Sequence, residues 1–167
     1  RVEARGKLIV KFVKKLKDWN ENGTDLFDNS GQFKNQLNLA KIGLVGHSRS
    51  GEAILAAAQS LKHDNSVSVG AIVAMAPNNE KSHQPGDIPY YLLQGVRDND
   101  MFVLQGLVAY QYYENQAVPK MKALVYGANH NFFNTELKKD DGLIVDNLFK
   151  MEAEEQQEVT RTTVTAF

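Results

Sequence analysis

Apolar residues near the start of the chain recur at helical spacing: Leu8, Phe12 and Leu16 fall at i, i+4 and i+8, with Ile9 and Val13 beside them. This spacing predicts an amphipathic helix over roughly residues 2–19 with one apolar stripe made of all five residues. Lys7, Lys11, Lys14, Lys15 and Lys17 fall mostly off that stripe. They read as a solvated face rather than an anion site, because the chain as a whole is close to neutral. Asn20 to Gly23 and Asp28-Asn29-Ser30-Gly31 are turn-rich and predict loops.

From Ile42 onward the period changes. Short apolar runs at Ile42–Val45, Val67–Ala76, Ile88–Leu93 and Ala123–Tyr126 alternate with longer stretches of helical composition. Each run is too short, and too rich in β-branched or aromatic residues, to stand as a helix, and each ends in a Gly, Pro or polar cluster. The pattern therefore predicts four strands in βα units. Glu52–Lys62, rich in Ala and Leu, is a good helix by propensity. Met101–Gln116, with Leu104, Leu107, Val108 and Tyr112 as its buried face, and Leu143–Glu158, apolar early and acidic late, predict two more. The acidic half of the latter reads as a solvated face. The fold class is α/β, a mostly parallel sheet flanked by helices.

Composition narrows the function classes. The chain has 167 residues with 19 Lys+Arg against 20 Asp+Glu, a formal charge of −1. That balance removes the electrostatic case for nucleic acid or an anionic membrane as partner. With 43% hydrophobic and 23% charged residues, residues 1–167 can bury a core as one domain, 1–38 leading into 39–167. No apolar run approaches the ~20 residues of a membrane helix, so a soluble protein is expected. Cysteine is absent, which excludes disulfides, thiolate metal sites and a Cys nucleophile and assigns no compartment. No His/Asp/Glu spacing resembles a metal site, no cofactor is expected, and His63 and His83 lie in polar loops without an assigned role. Arg1 and Thr165-Ala166-Phe167 read as cut ends, which suggests a fragment.

Chemistry concentrates in Lys41-Ile42-Gly43-Leu44-Val45-Gly46-His47-Ser48-Arg49-Ser50-Gly51-Glu52, a strand, a Ser among small residues, and an immediate helix former. A serine hydroxyl is a poor nucleophile at neutral pH and must be presented to a general base. A sharp strand-to-helix bend presents it by forcing the Ser into a strained conformation that leaves no room for side chains two residues away. Gly46 and Ser50 meet that demand, and Gly51 lets the helix pack closely. The helix start aims N–H groups and partial positive charge at the place where an oxyanion would develop. The plainer reading is an ordinary Gly/Ser turn, able to hold phosphate at the helix start. His47 reads as a packing residue beneath the bend rather than a base, since adjacent strand residues point to opposite faces.

This segment resembles the nucleophile elbow of the α/β-hydrolase superfamily, and its His-Ser-Arg core followed by Glu52 is similar to the bacterial esterase, dienelactone-hydrolase and cutinase-like branches. It departs in having Ser50 where Gly is commonest. The superfamily's chain order is nucleophile, acid, histidine, each after a successive strand. Gln94-Gly95-Val96-Arg97-Asp98-Asn99-Asp100 follows the third predicted strand and Tyr126-Gly127-Ala128-Asn129-His130-Asn131-Phe132-Phe133-Asn134 the fourth. By correspondence Asp98 takes the acid role, with Asp100 in reserve, and His130 the base. Singly, such Asp residues usually cap turns or helices, and such a His usually sits in a surface loop. The order and the α/β pattern together favour the triad.

The resemblance implies acyl transfer to Ser48, with the Arg49 backbone N–H as one oxyanion donor and a small-molecule or acyl substrate, a carboxylic ester before a peptide. Tyr90, Tyr91, Tyr110, Tyr112, Tyr113, Phe132 and Phe133 could line an acyl pocket, although core packing is the commoner use of such residues. A catalytically inactive binding domain of the same fold is the non-enzyme alternative. The resemblance covers only the C-terminal part of such a domain, with the strands and second oxyanion donor that precede the elbow not evident. An unpaired sheet edge left there would be a surface for homo-oligomer formation.

Overall fold

The computed structural model describes residues 1–24, 33–101, 110, 117–142 and 149–167. The elements run α1 (Val2–Asn22), β1 (Ile42–His47), α2 (Arg49–Leu61), β2 (Val69–Met75), β3 (Tyr90–Gly95), β4 (Lys120–Val125), a 3-10 turn (Asn131–Phe133) and α3 (Ala153–Ala166). The strands form one sheet in the order β1-β2-β3-β4, parallel throughout. All four therefore end at the same edge, the edge at which α/β sheets place their ligand sites.

Alternation along the central strands sorts the core into two layers. Ile72, Ala74, Tyr90 and Leu92 join Leu44 and the α2 residues Ile54, Leu55 and Ala58 on one face. Val73, Tyr91 and Leu93 join Val125, Ala128 and Phe133 on the other, where Val159, Val164 and Phe167 of the α3 region pack against them. Every residue of β3 is buried, as expected of a parallel strand covered on both sides. At the β1 side Val45, on the second face, is 55% exposed among the described residues.

All four predicted strands are present, with shifted limits. The helix after β1 begins at Arg49 rather than Glu52, because the bend at Ser48 leads directly into it. The first helix runs through Asn22, so the Asn20–Asn22 turn is helical. Gly23, at φ 82°, ends it and donates its N–H to Trp19 O at 2.8 Å. The Asp28–Gly31 loop lies outside the described residues, as does all of the Met101–Gln116 helix except Met101 and Tyr110. Of the Leu143–Glu158 helix, residues 143–148 also lie outside them. The described helix starts at Ala153 and continues to Ala166.

The buried face of α1 keeps only part of the expected stripe, Val13 in the core and Ile9 packed against it. Leu8 and Phe12 are 67% and 55% exposed, while Val2, Gly6 and Val13 are buried. The cause is the close approach of α1 to α2. A Cβ at Gly6 would meet Ala56 Cβ at 3.1 Å and Ala53 O at 3.2 Å, so the glycine sets which side turns inward. Gly6→Val should destabilise the fold by about 1–3 kcal/mol by wedging the helices apart, whereas Phe12→Ser should change it by no more than about 0.5 kcal/mol. Urea unfolding of the two variants checks this. A larger loss in Phe12→Ser would return the buried face to the Leu8–Phe12 side.

Candidate active site

Ser48 sits between β1 and α2 with φ 58° and ψ −129°, a left-handed conformation that costs a non-glycine residue about 1–3 kcal/mol. Its N–H donates to Met75 O at 2.9 Å and its carbonyl accepts from Gly51 N–H at 2.8 Å. The neighbours are small of necessity. A Cβ at Gly46 would collide with the Ser50 carbonyl, and one at Gly51 would lie 2.7 Å from Pro77 Cβ. Gly51 thus packs against the loop after β2, where the sequence suggested only general closeness to the sheet.

That loop is tied down by Glu52, a carboxylate 1% exposed. It accepts the Glu80 and Lys81 backbone N–H groups at 2.9 and 2.6 Å. His83 lies between two carboxylates, with Nδ1 3.3 Å from Glu52 Oε1 and Nε2 2.9 Å from Glu3 Oε1. His83, given no role on sequence, links α1, α2 and the loop beside Ser48.

On the far side of the site, Asp98 follows β3 and His130 follows β4. Both are buried, and His130 Nδ1 lies 2.9 Å from Asp98 Oδ2. The same oxygen accepts Gln94 Nε2 at 2.9 Å, while Oδ1 accepts the backbone N–H groups of Asp100 and Met101 at 3.1 and 3.0 Å. The fully buried carboxylate is therefore surrounded by donors, the condition under which a buried charge persists. The two loops meet over Gly95, where a Cβ would be 2.6 Å from Ala128 O.

Asn129 holds the histidine loop. Its backbone N–H and carbonyl are gripped by the Gln156 side chain of α3 at 3.0 and 2.9 Å, its side-chain oxygen accepts Phe132 N–H at 2.8 Å, and its amide donates to Asp140 at 2.8 Å. Gln156 is completely buried, while Glu154, Glu155 and Glu158 beside it are exposed, the solvated acidic face expected from the sequence. So held, the loop reaches across the strand ends to β1. His47 Nε2 is 2.9 Å from the His130 carbonyl, and the two imidazoles stand 4.6 Å apart. Sequence reasoning missed the anchoring roles of Gln94, Asn129 and Gln156. A Gln inside the apolar run Tyr90–Gly95 was a signal for the first; Gln156 carried none amid polar neighbours.

Burial pulls the His130 pKa down, but the hydrogen bond and charge of Asp98, with Asp100 and Asp141, outweigh it and leave the imidazole raised above its ordinary value. His47 goes the other way. Desolvation first, then the His130 charge, lower it to about 4, so it is neutral and donates Nε2–H to the His130 carbonyl. Asp141, which accepts Asn131 N–H at 3.1 Å, is pushed up mainly by burial.

Among the described residues the Ser48 hydroxyl makes no hydrogen bond. The outer nitrogen of His130, Nε2, instead faces Asp100 Oδ2 at 3.4 Å. Asp98 and Asp100 thus take opposite nitrogens of one ring. Arg49, whose N–H was the expected oxyanion donor, is the first residue of α2. No cluster of His, Asp or Glu among the described residues could hold a metal. A cavity of about 490 Å³ beside Leu61, Val67 and Ile88 opens at the other end of the strands and takes no part in this arrangement.

No protein-family model matches the chain, and no curated protein matches it in sequence. Its likeness is to solved structures. The esterase designated PE8 is similar over 99% of this chain and 62% of its own, with 15% identity and a TM-score of 0.58. A thermophilic esterase from the Planctomycetes species Thermogutta terrifontis gives 99%, 62%, 15% and 0.56. The chain thus spans 62% of the length of either structure. These likenesses, with the parallel four-stranded sheet, establish a partial α/β-hydrolase fold.

The two histidines make stability respond to pH in opposite senses. The raised His130 contributes stability fully present below its unfolded value of about 6.5 and lost as pH rises through its folded pKa. The lowered His47 contributes stability lost as pH falls from about 6.5 toward about 4, because the unfolded state then binds the extra proton. His47→Gln, which keeps a donor, should flatten that acid-side loss. Urea midpoints measured from pH 7 to 4 on both chains give the comparison, and identical slopes would contradict a half-buried, neutral His47.

Proposed function

We propose that, on its partial α/β-hydrolase fold, the chain carries a Ser48–His130–Asp98 triad that hydrolyses a carboxylic ester through an acyl-enzyme. The observation that carries this reading is the pairing of a left-handed Ser48 at a strand-to-helix bend with a buried Asp98–His130 pair held at the same sheet edge. Strain at a serine, with glycines cleared around it, is hard to explain as packing.

In this mechanism the Ser48 oxygen attacks the ester carbonyl while His130 Nε2 takes the hydroxyl proton. Asp98 accepts Nδ1–H, which fixes the tautomer and stabilises the imidazolium. The tetrahedral oxyanion faces the Arg49 N–H at the start of α2. Collapse expels the alcohol, which leaves with the proton from His130. Water then attacks the acyl-enzyme, giving its proton to His130, which returns it to the Ser48 oxygen as the C–O bond breaks and the acid leaves. For the proton to move, His130 Nε2 must turn from Asp100 to the serine, a tightening commonly seen only once substrate is bound.

Hydrolysis of p-nitrophenyl acetate and labelling by an alkyl fluorophosphonate test the reading. Both should map to Ser48, with Ser48→Ala and His130→Ala each lowering turnover roughly 10⁴-fold or more and Asp98→Asn by about 10⁴. A folded chain whose residual hydrolysis is unaltered in Ser48→Ala, and which takes no label, would instead be a binding domain.

A further inference from the structure

The position of Asp100 is more informative than that of a spare acid. Its carboxylate lies on the far side of the ring from Asp98, 3.4 Å from His130 Nε2, and it is 58% exposed at the side chain. Its backbone is pinned, because the Asp100 N–H donates to Asp98 Oδ1 at 3.1 Å. One buried carboxylate thus fixes both the imidazole and the loop residue that reaches the imidazole's other nitrogen.

The hydrogen-bonding inventory of the ring decides what this contact means. With Nδ1–H given to Asp98, a neutral imidazole presents a lone pair at Nε2, and a carboxylate there would face lone pair to lone pair. Only the doubly protonated ring can donate at both ends. A serine hydroxyl has the opposite requirement, since it donates and needs the bare Nε2 lone pair. Asp100 and Ser48 are therefore partners of two different protonation states of His130. The arrangement with Nε2 turned toward Asp100, 3.4 Å away, and the Ser48 hydroxyl unbonded is the one that suits the protonated ring.

We propose, on the triad reading above, that Asp100 is a positioning residue that holds the protonated His130 ring off Ser48 and releases it to the serine as the ring gives its Nε2 proton to solvent. The charged and titratable groups facing this ring are Asp98 and Asp100 from the loop after β3, Asp141 from the segment before α3, and His47 from β1. The carboxylates favour the imidazolium, and His47, being neutral, opposes it only weakly. Asp100 is the exposed carboxylate of its loop, so its influence is the part open to salt and to substitution without disturbing the buried pair. The consequence is an enzyme held back on the acid side by a group that takes no proton from substrate.

The test uses the full chain. Histidine NMR titration of wild type and Asp100→Asn should show the His130 transition moving to lower pH in the variant, with Asp100→Glu moving it back. Sodium chloride at 0.5 M should move wild type toward the variant. In p-nitrophenyl acetate hydrolysis the acid limb of kcat/KM should follow the same order, Asp100→Asn exceeding wild type by about two- to fivefold below the limb, the range set by an exposed ion pair. A His130 transition that neither the substitution nor salt displaces would overturn the role given to Asp100 and leave the triad standing. A displaced transition in a chain without Ser48-dependent hydrolysis would overturn the release step by removing the triad it serves.

Discussion

A carboxylate and an imidazole buried side by side, Asp98 and His130 at 2.9 Å, impose the strictest condition on this molecule. Removing either charge from water is expensive, and the pair persists only if every remaining valence is met. Here they are met by the Gln94 side chain and two backbone N–H groups of the loop itself. Those donors are available because the chain turns back immediately after β3. That turn is possible because Gly95 leaves the space in which the Ala128 carbonyl comes to rest. Strand end, tight turn and ion pair form a single dependency. The parallel sheet serves it by delivering both loops to one edge, adjacent in space though 32 residues apart in sequence.

The serine side rests on a different balance. Left-handed backbone at Ser48, and again at Ala76 with φ 42°, stores strain in two neighbouring strand ends. The surroundings over-determine both. Ser48 is bonded through its N–H and carbonyl, Pro77 fills the space that Gly51 leaves open, and Glu52 clamps the following loop through backbone N–H groups. A buried glutamate so placed contributes by holding geometry more than by net electrostatic stability, which its desolvation largely offsets. The two halves then meet through His47, whose ring touches His130 from the residue beside the serine.

Much of this was legible in the chain and some of it was not, for physical reasons that differ from residue to residue. Strand ends declared themselves through short apolar runs closed by Gly or polar clusters, so the placement of Ser48, Asp98 and His130 at successive ends could be read directly. The buried side of α1 could not. Hydrophobicity gives a glycine no weight, yet Gly6 against the small residues of α2 governs the approach and leaves Leu8 and Phe12 outside. Asn129 and Gln156 were invisible for a second reason. Their function is a reciprocal grip between a loop and a helix far along the chain, and a lone Gln in an acidic stretch carries no sign of its partner. Asp98 ranks ahead of Asp100 in the sequence only by correspondence with a family loop, since both face the same ring. What separates them is which nitrogen each faces.

Two imidazoles 4.6 Å apart with opposite charge preferences illustrate how finely the fold apportions charge here. His47 is deprived of water and has a carbonyl as partner, so desolvation prevails and the ring stays neutral. His130 is buried too but is flanked by carboxylates, and their attraction exceeds its desolvation penalty. The neutrality of the first assists the second, since a second positive ring at that distance would lower its basicity. Substituting a permanently charged side chain at position 47 would lower the His130 pKa. The residue before the serine therefore serves the electrostatics of His130, through a ring contact and a hydrogen bond to its carbonyl.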